Sequence, residues 1–151
     1  MGDSNFSDVI DFAIGRERAA VAFYEELSRI ASFAAQKSTL AEFRTMEEGH
    51  VAMLLGMKAR GAVKLSARVA VDLGLAERLG ADEEPSAGMS YQDILTAAIK
   101  KEARAADLYA SLEASASDPD IKSVFGRLKA EETRHGHYFE NLYETEVARD
   151  N

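Results

Sequence analysis

The sequence predicts an all-α protein, a four-helix bundle in which two helix pairs are joined by one long crossover. Four long stretches carry core-type residues at alternating spacings of three and four, the pattern of a helix face directed toward a bundle interior. Residues that start and stop helices separate these stretches. Only two of the 151 residues are proline and 46% are hydrophobic, which fits one helix-rich globular domain over 1–151.

The first helix pair is predicted at about residues 7–34 and 39–60. Ser7 precedes the first periodic run and can act as its N-cap. Thr39 and Glu42 form the Thr-x-x-Glu pattern of a capping box at the start of the second run. Because the link between the two runs is short, the two helices are expected to be antiparallel neighbours.

The second helix pair is predicted at about residues 90–117 and 118–148. Ser90 precedes the third run and fits an N-cap position. Asp118 and Pro119 fit the N-cap and first helical position of the fourth run, so they also mark the end of the third. This pair is again expected to be antiparallel.

The stretch at about 61–89 is predicted to be the crossover between the two pairs. It is apolar enough to pack on the bundle but has no single clean period, and its main apolar residues are Val63, Leu65, Val69, Val71 and Leu73. A link of this length allows the second pair to dock on the first, in a bundle with one long connection.

Charge and composition exclude several classes of function. The formal net charge is −8, so a nucleic-acid or anionic-membrane partner is not expected. The chain has no cysteine, which rules out disulfides and thiolate metal sites. The N-terminal residues do not resemble a secretory signal, and no apolar stretch reaches the length of about 18 residues that a spanning helix needs. A cytoplasmic protein is therefore expected.

The core-facing stripes reveal an internal repeat. They consist of Ile10, Ala13, Glu17, Ala20, Tyr24 and Leu27 in the first helix, Leu40, Phe43, Glu47, His50, Leu54 and Met57 in the second, Leu95, Ala98, Glu102, Ala105, Tyr109 and Leu112 in the third, and Phe125, Leu128, Glu132, His135, Phe139 and Leu142 in the fourth. Residues 6–60 align with 91–145 without a gap, at an offset of 85. Each half therefore supplies one helix with Glu and Tyr and one with Glu-x-x-His.

Six polar residues lie at one level of these otherwise apolar stripes: Glu17, Glu47, His50, Glu102, Glu132 and His135. An unpaired carboxylate in a dry interior costs several kcal/mol, and four at one level repel one another. Two divalent cations would neutralise four carboxylates, with the histidines completing the ligand set. Carboxylate and imidazole ligands with open positions favour iron or manganese over a closed zinc site, although zinc remains a substitute.

Two Glu-x-x-His pairs in register with two further glutamates resemble the ligand set of the ferritin-like superfamily, and more narrowly its rubrerythrin and bacterioferritin branch. The resemblance covers about residues 7–148. It implies a ferritin-like fold and two irons, with Glu17 and Glu102 as terminal ligands and Glu47 and Glu132 as bridging ligands.

The same resemblance assigns the histidines and two tyrosines. It implies that His50 binds the iron held by Glu17, and that His135 binds the other iron. Tyr24 and Tyr109 match the tyrosine found in the family seven residues after each terminal glutamate, and each is expected to hydrogen-bond a ligand carboxylate.

Some features depart from the family. Rubrerythrins usually have a further glutamate where this chain has Ala105, and often a cysteine-rich rubredoxin domain that is missing here. The haem-binding methionine of bacterioferritin would fall at Glu48, so haem is not expected. The fourth helix is predicted to run almost to Asn151, which leaves no room for the short fifth helix of cage-forming ferritins.

Other residues near the stripes are predicted to be bystanders. Glu48 and Glu131 compete for metal ligation but are expected to be exposed neighbours, and His137 is expected at the surface. The methionines expected to fill core or interface space are Met46, Met53, Met57 and Met89. Four apolar residues off the first stripe predict a homodimer surface unless the crossover covers them: Phe12, Phe23, Ile30 and Phe33.

The functional hypothesis is a rubrerythrin-like di-iron oxidoreductase, a non-haem peroxidase or ferroxidase that reduces hydrogen peroxide or dioxygen. Without cysteine or haem in the chain, the electrons would come from an external donor protein or from fresh ferrous iron. The alternative is a ferroxidase or iron-storage protein of the same superfamily, and a third reading is a bundle stabilised by zinc. The metal pair, including manganese or mixed iron and manganese, stays open.

Overall fold

The computed structural model describes residues 2–59 and 89–147. The described residues form four long helices: α1 (Gly2–Ser28), α2 (Lys37–Ala59), α3 (Tyr91–Ser115) and α4 (Pro119–Glu146). A 3-10 helix at Ala31–Gln36 connects α1 to α2. The all-helical prediction is confirmed, while the predicted crossover lies outside the described residues except for Met89.

The starts of α3 and α4 agree with their predicted caps. The Ser90 hydroxyl accepts a hydrogen bond from the backbone N–H of Asp93 at 3.0 Å. Asp118 Oδ1 accepts from the backbone N–H of Asp120 at 2.8 Å, and Pro119 is the first residue of α4. These contacts satisfy N–H groups that have no partner within the helix.

The link between α1 and α2 differs from the prediction. The helix predicted at about 7–34 spans Gly2–Ser28, so Ser7 lies inside it and is not its N-cap. Ile30 is extended, with φ −87° and ψ 125°. The chain then forms the 3-10 helix, which places Phe33 in the core with no exposed surface. Because this short helix runs directly into α2, Thr39 lies inside α2 and does not cap it.

The helices pack as two pairs, α1 against α2 and α3 against α4. All the predicted core-facing residues are buried except Ala105 and Leu142, which are partly buried. The apolar core is divided into two clusters. Along α1, for example, one cluster ends at Ile14 and the other begins at Ala20. Glu17 lies between them, and the other three helices show the same interruption.

The predicted apolar dimer surface is wrong. Phe23 and Phe33 are 2% and 0% exposed, and Phe33 packs against the Tyr91 ring at a centroid distance of 4.7 Å. Phe12 and Ile30 are partly buried against the two core clusters. Phe33 is buried because the 3-10 helix places it against Tyr91 at the start of α3. The homodimer remains a prediction, but this apolar surface no longer supports it.

The helices offer no transmembrane segment within 2–59 and 89–147: none there is both long enough and apolar enough to cross a bilayer.

Candidate metal centre

A polar layer crosses the bundle between the two apolar clusters. Its six members are no more than 3% exposed, and they are the six residues that the stripes predicted: Glu17, Glu47, His50, Glu102, Glu132 and His135. One glutamate comes from each helix, and α2 and α4 each add a histidine one turn later. The stripe spacing explains why the six side chains lie in one layer, since residues three or four apart lie on the same helix face.

The polar layer contains two overlapping groups of side chains that could hold a metal ion. The first group is Glu17, Glu47, His50 and Glu132, and the second is Glu47, Glu102, Glu132 and His135. In each group the candidate ligand atoms lie within 4.8 Å of one another. The groups share Glu47 and Glu132, the two residues predicted to bridge.

Both histidines direct Nδ1 toward the carboxylates. His50 Nδ1 lies 3.2 Å from Glu17 Oε2 and 3.1 Å from Glu132 Oε1. His135 Nδ1 lies 3.1 Å from Glu47 Oε1 and 3.8 Å from an oxygen of Glu102. The structure thus groups His50 with Glu17 and His135 with Glu102, the pairing that the family resemblance implies.

The two tyrosines bind carboxylates of the opposite helix pair. Tyr109 on α3 donates its hydroxyl proton to Glu17 Oε1 on α1 at 2.5 Å, and Tyr24 on α1 donates to Glu102 Oε1 on α3. Burial and the neighbouring carboxylates raise the pKa of both tyrosines well above the ordinary value, so both remain donors. Each tyrosine holds one carboxylate oxygen and leaves the other directed at the layer.

Burial also changes the protonation of the carboxyl groups. It raises the pKa of three of them well above the ordinary value: Glu47, Glu102 and Glu132. Removal from water disfavours the charged form, and neighbouring carboxylates add to the effect. In the absence of a bound cation, the layer therefore retains protons that an exposed glutamate loses.

Glu17 and His50 form the charged pair of the layer. Burial raises the pKa of Glu17, but contacts with Glu47, His50 and Tyr109 outweigh it and lower the pKa overall. Burial lowers the pKa of His50, but the surrounding carboxylates outweigh it and raise the pKa far above the ordinary value. His135 behaves oppositely: burial is the main influence and lowers its pKa. The metal-free layer thus favours the protonated form of His50 and the neutral form of His135.

Several buried atoms of the candidate ligands make no contact with the geometry of a hydrogen bond to another described residue, although some lie only 3.1 Å from a neighbour. Those belonging to the layer are both oxygens of Glu47, Glu102 Oε2, Glu132 Oε1 and His135 Nδ1. A buried polar atom left in this state costs about 1–3 kcal/mol. All of these atoms belong to the two candidate groups, so the donor set fits bound cations.

Two flanking residues contact the histidines on the side away from the layer. Glu131, predicted to be an exposed bystander, contacts His50 Nε2 through Oε2, and its side chain is only 25% exposed. Met46 Sδ lies 3.5 Å from His135 Nε2. Both residues immediately precede the shared glutamates, so they occupy equivalent positions in the two halves, but this spacing alone does not predict that they face a histidine.

The other bystanders are where they were predicted. Glu48 has a 55% exposed side chain and lies 3.8 Å from Arg44 Nε, and His137 is exposed.

Comparison with known protein families, curated proteins and solved structures finds no match for this chain. The chemistry of the layer is therefore inferred from its own residues.

Proposed function

We propose that this chain is a di-iron oxidoreductase, similar to rubrerythrins, that reduces hydrogen peroxide or dioxygen at the polar layer. The observation that carries the proposal is the overlap of two four-residue groups through Glu47 and Glu132. Two shared carboxylates suit a pair of ions held close together, whereas a single ion needs only one group. Each group supplies three carboxylates and one imidazole.

The ligand chemistry supports iron, with manganese as the nearest substitute. Oxygen-rich sites with one imidazole suit divalent iron and manganese, and a closed structural zinc site takes four ligands, often thiolates. Four glutamates balance the charge of two divalent ions, which removes the cost of burying them. His50 and His135 would bind through Nδ1, the atom already facing the carboxylates.

Two bound ferrous ions would supply two electrons to a small oxidant. The protein would hold the terminal carboxylates in place through Tyr24 and Tyr109, which fix one oxygen of each. The apolar clusters on both sides would exclude bulk water. Since the ligands are no more than 3% exposed, the layer favours a diatomic or similarly small substrate.

Re-reduction would depend on another molecule. The sequence has no cysteine that could carry electrons within the chain. A separate redox protein would serve a peroxidase cycle, whereas fresh ferrous iron would serve an iron-oxidising protein.

The test is anaerobic loading with ferrous iron, followed by a metal count and by stopped-flow absorbance after peroxide or dioxygen is added. The proposal is supported if the chain binds two irons, if peroxide oxidises them faster than dioxygen does, and if peroxide is reduced catalytically when a reductant is supplied. Faster reaction with dioxygen and uptake continuing past two irons per chain would identify an iron-storage protein instead. No binding, or redox-inert binding of zinc alone, would refute the proposal.

A further inference from the structure

The two halves of the polar layer have the same candidate ligands but different residues behind the histidines. At the offset of 85 residues, the ligand glutamates, the histidines and the tyrosines are the same in both halves. The residue that precedes each shared glutamate is not: Met46 in one half corresponds to Glu131 in the other. Each lies against the outer nitrogen of the histidine from the opposite helix pair.

Glu131 gives His50 a strong partner. A carboxylate only accepts hydrogen bonds, so the contact fixes a proton on His50 Nε2 and directs Nδ1 to the layer. Hydrogen bonds to a charged group are about twice as strong as neutral ones. A carboxylate behind a metal-binding histidine also makes the ring a better ligand.

Met46 gives His135 a weak partner. A thioether sulfur is a poor acceptor, and the 3.5 Å contact does not determine which nitrogen of His135 carries the proton. The ring is held mainly by packing, since it stacks on Phe43 with a centroid distance of 4.0 Å. His135 is therefore positioned without the electrostatic support that His50 receives.

We propose that Glu131 is a positioning residue that makes the two metal positions unequal: the position of Glu17 and His50 fills first, and that of Glu102 and His135 fills second. The inference rests on the metal centre proposed above and adds the order of filling. Loss of an outer partner of this kind lowers metal affinity by about 10–100-fold, which sets the expected gap between the two positions.

The test uses anaerobic titration with Co²⁺, followed by absorbance and calorimetry, on the native chain and three variants. The native chain is expected to bind two ions in two steps, with Kd values at least about tenfold apart. E131M copies the other half and should weaken the first step by about 10–100-fold. E48Q is the matched control, because it removes an exposed carboxylate that touches Arg44 and not a histidine, and it should leave both steps unchanged.

The decisive variant exchanges the two residues. In M46E/E131M the net charge is that of the native chain, and the preference should move to the other position. Zn²⁺ titration followed by ¹⁵N NMR of the histidine rings reads this order directly, with H137Q used to assign the exposed histidine. His50 Nδ1 should shift first in the native chain, and His135 Nδ1 should shift first in the exchanged variant.

The outcomes separate the two proposals. Two ions binding in one indistinguishable step would keep the metal centre and overturn the inequality. An unchanged order of filling in the exchanged variant, or an effect of E131M no larger than that of E48Q, would also overturn it. A native chain that binds no Co²⁺ would refute the metal centre itself.

Discussion

Replacing Glu47 by methionine should stabilise the metal-free protein while destroying the pair of metal positions. Glu47 is fully buried, and neither of its oxygens has a hydrogen-bond partner among the described residues. Burial and the neighbouring Glu17 raise its pKa well above the ordinary value, so the fold disfavours its ionised form. Methionine has a similar length and no charge, and it would extend the apolar clusters across the layer.

The expected gain is about 1–3 kcal/mol in the free energy of unfolding, the cost of burying a polar group that lacks a hydrogen-bond partner. For a chain of this size, each kcal/mol corresponds to about 2–4 °C in Tm. The assay is urea denaturation near pH 8 with a chelator present, repeated with Mn²⁺. Only the native chain should gain strongly from Mn²⁺, because the variant lacks a shared carboxylate. Glu48→Met is the control, since that side chain is exposed.

If metal-free Glu47→Met is less stable than the native chain by several kcal/mol, the carboxylate is a paired member of a network with the histidines and not an orphaned group. The measured pH dependence would then identify the partner.

Three further outcomes are expected. Burial raises the pKa of three carboxyl groups in the layer, those of Glu47, Glu102 and Glu132. Above pH 4.5 these three groups bind more protons in the folded metal-free chain than in the unfolded chain, and they outnumber Glu17, whose pKa is lowered. The free energy of unfolding, measured by urea denaturation with a chelator, should therefore fall as the pH rises. With Mn²⁺ the trend should reverse, because cations compete with protons. Tyr109→Phe removes the donor to Glu17 Oε1 and should lower the free energy of unfolding by about 1–3 kcal/mol, whereas Tyr143→Phe, at an exposed contact with Gln92, should change it by less than about 0.5 kcal/mol. Glu132→Ala should reduce anaerobic binding from two tightly held ions to one at most, and a variant that keeps both would contradict its role as a shared ligand.

Local chemistry explains which parts of the fold could be predicted from the sequence. Ser90 and Asp118 cap their helices through contacts within three residues, so their roles are readable without tertiary information. The end of α1 could not be predicted in this way. The 3-10 helix keeps Phe33 in the core, so the helical spacing of apolar residues continues past the true end of α1 at Ser28. The capping-box pattern at Thr39 was misleading for the same reason: no helix start is needed where one helix runs into the next.

In the candidate site, too, some residues could be predicted from the sequence and others could not. The six layer residues were predictable because a polar residue within an apolar stripe is costly, and six at one level require a common explanation. The contact of Glu131 with His50 was not predictable, because a residue one position off the stripe lies on a flank of the helix. The spacing does not say which flank meets the neighbouring helix. The packing of α2 with α4 decides it: the preceding position faces a histidine, and the following position, as at Glu48, faces solvent.

The internal repeat gives the layer a high density of buried carboxyl groups, and these groups destabilise the metal-free bundle. A repeated helix pair places two copies of each ligand about a common centre, so any buried carboxylate is present together with its counterpart. The metal-free bundle then carries more acid groups than its histidines can balance, and protonation relieves only part of the cost. A bound cation would relieve the rest, so folding stability and metal affinity should be linked through the same atoms. Within that shared framework, a difference such as Met46 against Glu131 lies outside the ligand set and can make the two positions unequal without removing a ligand from either.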